Sequence, residues 1–501
     1  MSLSLSRLRE HLPAAGLVLL AGLCGTLLAK GSYIPLGGLL GILVGSLVLL
    51  LPAEWVLGLL MLLTFVVQGC LTYFLNFEQA SWLPGMFCGL IAIRLFVELF
   101  RDHAALQRFS HSVLLLPMLC LFGYLGTLLV SSLVETPPVI SVIFGVKNAL
   151  PFWFVTLFVI AINHQERVRN LFWWLIGAIF FLQLPLVILQ HFVIAPARQA
   201  IYSWDAVVGT FGGNMEGGGS NSTLTIFAIW GLAYFGSLYQ RALLPLSALL
   251  LAAGTTLAII FLGEVKAAFL WLPMAMAITF RKLIFRNVTS FLLAGVLTAG
   301  LLVAIWTAYD ALYWSSETKA ASTEDRMGEM YYFFDEKQID PKTGEISRGA
   351  ALAIWWQDMN SGTHERLIGY GISASRTSAT AGSGVVAKRY LPLDVAATTA
   401  TQLLWETGVI GLLFFCGVLV GIPLLAWREL SHPGLSALEG ARLESLMTLS
   451  ILLATTVIYN RYLVDEPPTQ LMLALSLGYV AFWVAELPRF RPQAIRYGKR
   501  T

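Results

Sequence analysis

A chain of 501 residues with 57% hydrophobic and only 12% charged residues cannot clothe a water-soluble fold. Soluble globular proteins carry about 25% charged residues, and the mean hydropathy of +0.74 points the same way. A soluble enzyme is excluded, and the net charge of +3 identifies no partner.

Arg7 and Arg9 precede an apolar run from Leu12 to Ala29. The run is long and a second follows at once, so an uncleaved first helix is expected rather than a signal peptide. Crossing about 30 Å of hydrocarbon takes about 20 apolar residues. That length predicts spans at 12–29, 34–52, 55–75, 83–100, 112–131, 148–163, 170–193, 221–238, 243–262, 265–280, 289–308, 402–427, 443–460 and 468–486. The expected fold is an all-α polytopic membrane helix bundle of about 14 transmembrane helices with one large helical periplasmic loop. Its parts are helices 1–11 over 1–308, the loop over 309–401, and helices 12–14 with a cytoplasmic tail over 402–501.

Charge placement sets the expected orientation. With the N-terminus inside, 17 lysines and arginines fall on inner segments and the tail. Only Lys30, Lys147, Arg198, Lys266 and Arg461 fall on short outer segments. That asymmetry is the positive-inside pattern, with both termini cytoplasmic. Arg94 and Glu98, at i,i+4, are expected to pair near the inner end of the fourth span. All five cysteines lie in apolar runs, so no disulfide or CxxC site is expected.

Polar residues collect in three outer regions. The first, Ile194 to Ser220, is glycine-rich and carries Arg198, Asp205, Asn214 and Glu216. The second is the tight turn GEVK, Gly263 to Lys266. A lysine there must pair or face a wet cavity, and Glu264 at i−2 does not share its helical face. The third is the long segment from Tyr309 to Thr401, far beyond an ordinary connection. It reads as an amphipathic helix around Thr323–Phe334, a second from Ile346 to Asp358 bearing Trp355 and Trp356, then LIGYGISASR (Leu367 to Arg376) and a mobile small-residue stretch, TSATAGSGVV. Lys266 with Arg198, Arg348, Arg366 and Arg376 could form a basic site for an anionic group such as a lipid phosphate. P-loop, HExxH, GxSxG and EF-hand motifs are absent, and His191 and His364 are the only outer histidines.

At the end of the long loop, LLWETGVIGLLFF (Leu403 to Phe415) resembles the signature of the O-antigen polymerase and O-antigen ligase superfamily. VGTFGGN (Val208 to Asn214), GEVKAA (Gly263 to Ala268), and Arg348 followed by a tryptophan-bearing helix and IGYG (Ile368 to Gly371) resemble other family stretches in the same order. Arg198 and Gly209 fit the family's Arg-x10-Gly spacing. The ligase branch carries a His-Asn pair about nine residues before the glutamate, where this chain has Ala397, so the resemblance favours a polymerase.

The resemblance implies a membrane glycosyltransferase in a bacterial inner membrane. It would move a glycan from polyprenyl (undecaprenyl) diphosphate to a sugar hydroxyl during polysaccharide assembly, with no metal and no cofactor. On that expectation Lys266, Arg198 and Arg348 bind the diphosphate with Arg376 in reserve. Glu406 leads the candidates for catalytic base, ahead of Asp394, Glu216 and His364, and Glu216, Trp355 and Tyr370 face the glycan. The partners expected are the lipid-linked oligosaccharide and the bilayer, with room for other polysaccharide export proteins and none for nucleic acid. Rival readings are a polysaccharide flippase or other secondary transporter, a lipid-phosphate-sugar glycosyltransferase and a non-enzymatic scaffold. Most span centres are nearly free of charge and the polar mass lies outside, which weighs against a transporter.

Overall fold

The computed structural model describes residues 22, 25, 26, 41, 45–197, 206–213, 220–311, 335–337, 339, 344, 346–378 and 382–487. Arg198, Glu216, most of the expected spans 12–29 and 34–52 and the helix expected at Thr323–Phe334 lie outside them. The chain divides into two compact units, Met1–Val56 and Leu57–Thr501. The second, from Leu57 of the first long helix onward, holds the bundle and both cavities of the candidate site.

Its membrane-scale helices, in chain order, are α1 (Ala53–Leu75) and α2 (Glu78–Arg101), then the short α3 (His103–Val113), and α4 (Leu116–Glu135). Next come α5 (Val139–Ala149) and α6 (Pro151–Ile162), two short helices that together make one span-length unit. They are followed by α7 (Glu166–Ala197), α8 (Asn221–Gln240), α9 (Leu246–Gly263), α10 (Ala268–Thr279) and α11 (Val288–Tyr309). Three short helices, α12 (Arg348–Gln357), α13 (Thr363–Ile368) and α14 (Val385–Tyr390), lead to α15 (Thr399–Glu429), α16 (Ala437–Thr456) and α17 (Pro467–Glu486). The fold is all-α. Among the described residues ten helical segments are long and apolar enough to cross a membrane.

Two expected spans differ in kind. The one placed at 265–280 is only the 12-residue α10, and the one at 443–460 is α16, which carries Glu439, Arg442 and Glu444. Those three charges are buried rather than lipid-facing. Burial separates the helices into an inner and an outer set. α17 is enclosed along its whole apolar window, whereas α11 leaves Val296, Leu297 and Val303 more than 60% exposed. Leucine and valine displayed so continuously along a helix fit hydrocarbon, where every backbone group is already bonded within the helix.

The helix ends sort into two poles. At one, Glu444 of α16 pairs with Arg241 and Arg281, and Glu439 pairs with Arg169 at 3.1 Å and Arg442 at 2.8 Å. At the other, the ends of α4 and α5 meet the starts of α15 and α17. Ser131 Oγ donates to the Glu406 carbonyl at 3.1 Å, Thr399 N donates to the Asn460 carbonyl at 2.8 Å, and Gln470 Nε2 donates to the Asn148 carbonyl at 2.7 Å. The stretch expected to be mobile instead pairs Thr377–Ser378 with Gly382–Ser383 in a short antiparallel ladder. The Arg94–Glu98 pair forms at 2.7 Å.

Candidate functional site: a cationic cavity beside a broken helix

α15 starts from a capping box. Thr398 Oγ1 accepts from Thr401 N at 3.1 Å and Thr401 Oγ1 accepts from Thr398 N at 3.0 Å, satisfying two backbone donors at the helix start. Two turns later the helix breaks at Gly408, whose φ of 65° and ψ of −169° belong to a region only glycine occupies readily. A Cβ there would sit 2.3 Å from the Leu367 carbonyl carbon. The carbonyls of Trp405 and Glu406, freed by the break, accept from Tyr370 N at 2.8 Å and Gly371 N at 3.1 Å. Gly369 (φ 79°) lies so close that its Cβ would meet the Glu406 carbonyl carbon at 2.4 Å. The sequence stretches IGYG and ETG are therefore two halves of one joint.

That joint aims the Glu406 side chain at Arg376. Glu406 Oε1 accepts from Arg376 Nε at 3.0 Å and from Ser375 Oγ at 3.1 Å. Arg376 Nη1 lies 2.6 Å from Asp465 Oδ1. In the amide orientation that satisfies both groups, the Gln402 oxygen also accepts from Arg376 Nε at 2.6 Å. Asp465 Oδ2 is 3.3 Å from Arg461 Nε, and Arg461 Nη1 is 2.7 Å from Asp394 Oδ2. Five side chains thus alternate in sign from the buried Glu406 to the half-exposed Asp394. Burial opposes the charge on Arg376, yet Asp465 and Glu406 outweigh it and raise its pKa above the ordinary arginine value. Arg461 is likewise opposed by burial and raised by Asp465 and Asp394.

Beside this chain lies a cavity of about 250 Å³ whose ionised walls are Lys147, Arg376, Arg461 and Asp465. Ser141, Thr377 and Ser378 contribute hydroxyl-bearing wall. Lys147 comes from α5, where its Nζ stands 4.5 Å from the Trp82 ring centroid and 3.4 Å from Ser81 Oγ. Gly145 lets α5 approach the loop, since a Cβ there would be 2.3 Å from Ile372 Cγ1. The wall itself presents three cations and one carboxylate, with Glu406 and Asp394 pairing the two arginines from outside it and Lys147 in no ion pair among the described residues.

A second cavity, of about 540 Å³, shares Asp465 with the first. Its walls include Gln68, Thr72, Glu78, Phe211, Tyr462 and Glu466. The VGTFGG stretch that supplies Phe211 is strapped by two buried glutamines of α7. Gln190 Oε1 accepts from Val208 N at 3.0 Å and Gly209 N at 2.7 Å, and Gln183 Oε1 accepts from Thr210 N at 2.9 Å. Glu466 accepts from Ser220 Oγ at 2.9 Å and Thr223 Oγ1 at 2.8 Å. Burial nonetheless pushes its pKa up to about 7.

Of the residues singled out in the sequence, Glu406 and Arg376 meet directly and Asp394 joins them through Arg461 and Asp465. Arg348 lies elsewhere, its Nε donating to the Tyr459 carbonyl at 3.0 Å and its guanidinium over the Tyr459 ring. Lys266 stands just before α10, and neither it nor Arg348 lines the cationic cavity. Trp355 is 6% exposed and packs with Tyr370, Val386 and Trp405. The Tyr370 hydroxyl is 2.9 Å from Ser361 Oγ and 3.3 Å from Arg389 Nη1. His364 Nδ1 is 3.9 Å from Glu135 Oε1, and with Glu365 these form a trio whose ligand atoms lie within 4.8 Å of one another.

Asp465, Arg461, Lys147 and Gln402 escaped the functional reading of the sequence. The i,i+4 spacing of Arg461 and Asp465 was their one available signal. No family model matches the chain, and no relative is found among curated proteins.

Proposed function

We propose that this chain is a metal-independent membrane glycosyltransferase that moves a glycan from a polyprenyl-diphosphate carrier to a sugar hydroxyl, a polymerase rather than a ligase. The observation that carries the reading is the small cavity walled by Lys147, Arg376 and Arg461 at one pole of an apolar helix bundle. The resemblance of LLWETGVIGLLFF to the O-antigen polymerase and ligase superfamily supports it, as does the joint that motif makes with IGYG. The setting that follows is a bacterial inner membrane with the cavity on the outer face.

In this reading the three cations hold the diphosphate of the donor. The acceptor oxygen bonds to the anomeric carbon, and the bond from that carbon to the diphosphate oxygen breaks with its electron pair. Fixed cations beside a low-dielectric bilayer stabilise the charge that develops on the leaving group. Asp465, the carboxylate in the cavity wall, takes the hydroxyl proton. Glu406 acts as a positioning residue, because it is 3% exposed and lines neither cavity while holding Arg376.

The test is chain extension by purified protein in a lipid bilayer supplied with polyprenyl-diphosphate-linked oligosaccharide. Lys147→Ala should slow extension by about 10²-fold or more while the protein still folds. Unchanged extension by that variant would overturn the assignment. The break at Gly408 favours a second reading, a flippase or other secondary transporter, since transporters interrupt helices to build polar sites. Translocation of intact lipid-linked glycan with no new glycosidic bond would select it.

A further inference from the structure

We infer that the second cavity is the subsite for the uncharged acceptor sugar, an inference that rests on glycosyl transfer at the cationic cavity next to it. The two cavities meet at Asp465 and differ sharply in charge. The cationic cavity presents two arginines and a lysine, whereas none of the described residues lining the second is basic. Its ionisable walls are Glu78, Asp465, Glu466 and Tyr462. Carboxylates in that wall disfavour a phosphorylated ligand relative to the first cavity.

A neutral polyol suits the remaining chemistry. Each sugar hydroxyl both donates and accepts, so it needs walls that mix the two roles. Gln68 and Asn76 bring amides, Thr72 and Ser81 bring hydroxyls, and the carboxylates accept only. Tyr462 supplies aromatic surface for the apolar parts of a pyranose ring. The volume of about 540 Å³ falls within the range of about 300–1,000 Å³ common to small-molecule sites. A metal fits less well. Among the described residues the one trio of ligating side chains close enough to share an ion is Glu135, His364 and Glu365, which belongs to neither cavity.

The walls are held in place before any ligand arrives. Phe211 and Gly212 press on α1 so closely that a Cβ on Gly69 would lie 2.0 Å from the Thr210 carbonyl oxygen. Glu466 is anchored by Ser220 and Thr223. A preorganised pocket loses less entropy on binding. Lys147 Nζ, in the wall of the first cavity, is 3.4 Å from Ser81 Oγ in the wall of the second. The hydroxyl of a sugar seated here would meet the donor's anomeric carbon at Asp465.

Full-length protein in lipid nanodiscs supports two separate binding measurements. Saturation-transfer NMR with a panel of cello-, malto-, manno- and chito-oligosaccharides reads the second cavity, and farnesyl diphosphate titration reads the first. At least one oligosaccharide should bind wild type. Its affinity should fall at least tenfold in Thr72→Trp, which fills the cavity, and more mildly in Glu78→Ala, which is exposed and tolerable to the fold. Neither variant should alter farnesyl diphosphate binding, which Lys147→Ala should abolish. No binding by any oligosaccharide, or binding indifferent to both variants, overturns the subsite. Oligosaccharide binding that responds to both variants, in a protein indifferent to farnesyl diphosphate, supports the subsite and strikes the donor assignment alone.

Discussion

Arg376 holds Asp465 between its own Nη1 and the reach of Arg461, with Arg376 Nη1 to Asp465 Oδ1 at 2.6 Å and Arg461 Nε to Asp465 Oδ2 at 3.3 Å. One carboxylate therefore ties the loop before the ladder strands to the turn that opens α17. The same Arg376 anchors Glu406 of α15, so three distant stretches of chain share a single guanidinium.

Arg376→Ala should destabilise the protein by about 3–5 kcal/mol, because it strands a buried Glu406 without its partner. Arg376→Lys keeps the charge and loses the planar fork that reaches two carboxylates at once. It should therefore retain most of the thermal stability and lose most of the activity. Thermal unfolding in nanodiscs, alongside chain extension, checks both; full activity in Arg376→Lys would refute the role of the fork.

Gly408→Ala should cost at least about 2 kcal/mol, since it adds backbone strain and a steric clash. Gly254 in α9 is the control, because a Cβ there meets nothing within 4 Å. Gly254→Ala should be neutral or stabilising by up to about 1 kcal/mol through helix propensity. Equal melting temperatures for the two variants would show that the break in α15 is not needed.

Glu466 makes stability depend on pH in a stated direction. Burial raises its folded pKa from 4.5 to about 7, so the folded protein holds this proton more tightly than the unfolded chain. Its contribution is fully present below about pH 4.5 and is lost as the pH rises through about 7. Subtracting the melting curve of Glu466→Gln from that of wild type, between pH 4.5 and 8, should expose that decline. A flat difference would refute it.

At the opposite pole, Glu444 is buried between Arg241 and Arg281. Glu444→Ala should cost about 3–5 kcal/mol by leaving two guanidinium groups facing each other. Whatever protein still folds should bind farnesyl diphosphate normally, because the change is made at the pole away from the cationic cavity. Reduced ligand affinity in the folded fraction would show that the two poles are coupled.

Hydrophobic run length sufficed to locate most helices, since spans such as 170–193 and 289–308 read strongly apolar and fold within α7 and α11. It did not foresee the charged start of α16, where Glu439 pairs with Arg169 and Arg442 and accepts from Tyr479 of α17, and Glu444 pairs with Arg241 and Arg281. Run length cannot foresee pairing of that kind. In the site, ETG and IGYG stood out separately because glycines at positive φ leave a compositional trace, but their mutual fit is a fact of three dimensions. Lys147 was read as a loop charge, though it belongs to a short helix that ends before Pro151 and turns it into a cavity wall. Asp465 carried no motif at all. Its importance comes from being the carboxylate that two arginines reach.

The enclosure of α17 bears on how the molecule is assembled. Among the described helices it emerges last from the ribosome, yet its neighbours wrap it completely. α6, which packs along α17, lacks that neighbour until synthesis has passed residue 486. A nascent chain halted before residue 465 would already possess Arg376 and Glu406 but not the carboxylate that joins them to Arg461. The charge chain is thus completed only as the segment that opens α17 is made, so closing the bundle and joining Arg376 to Arg461 belong to one step.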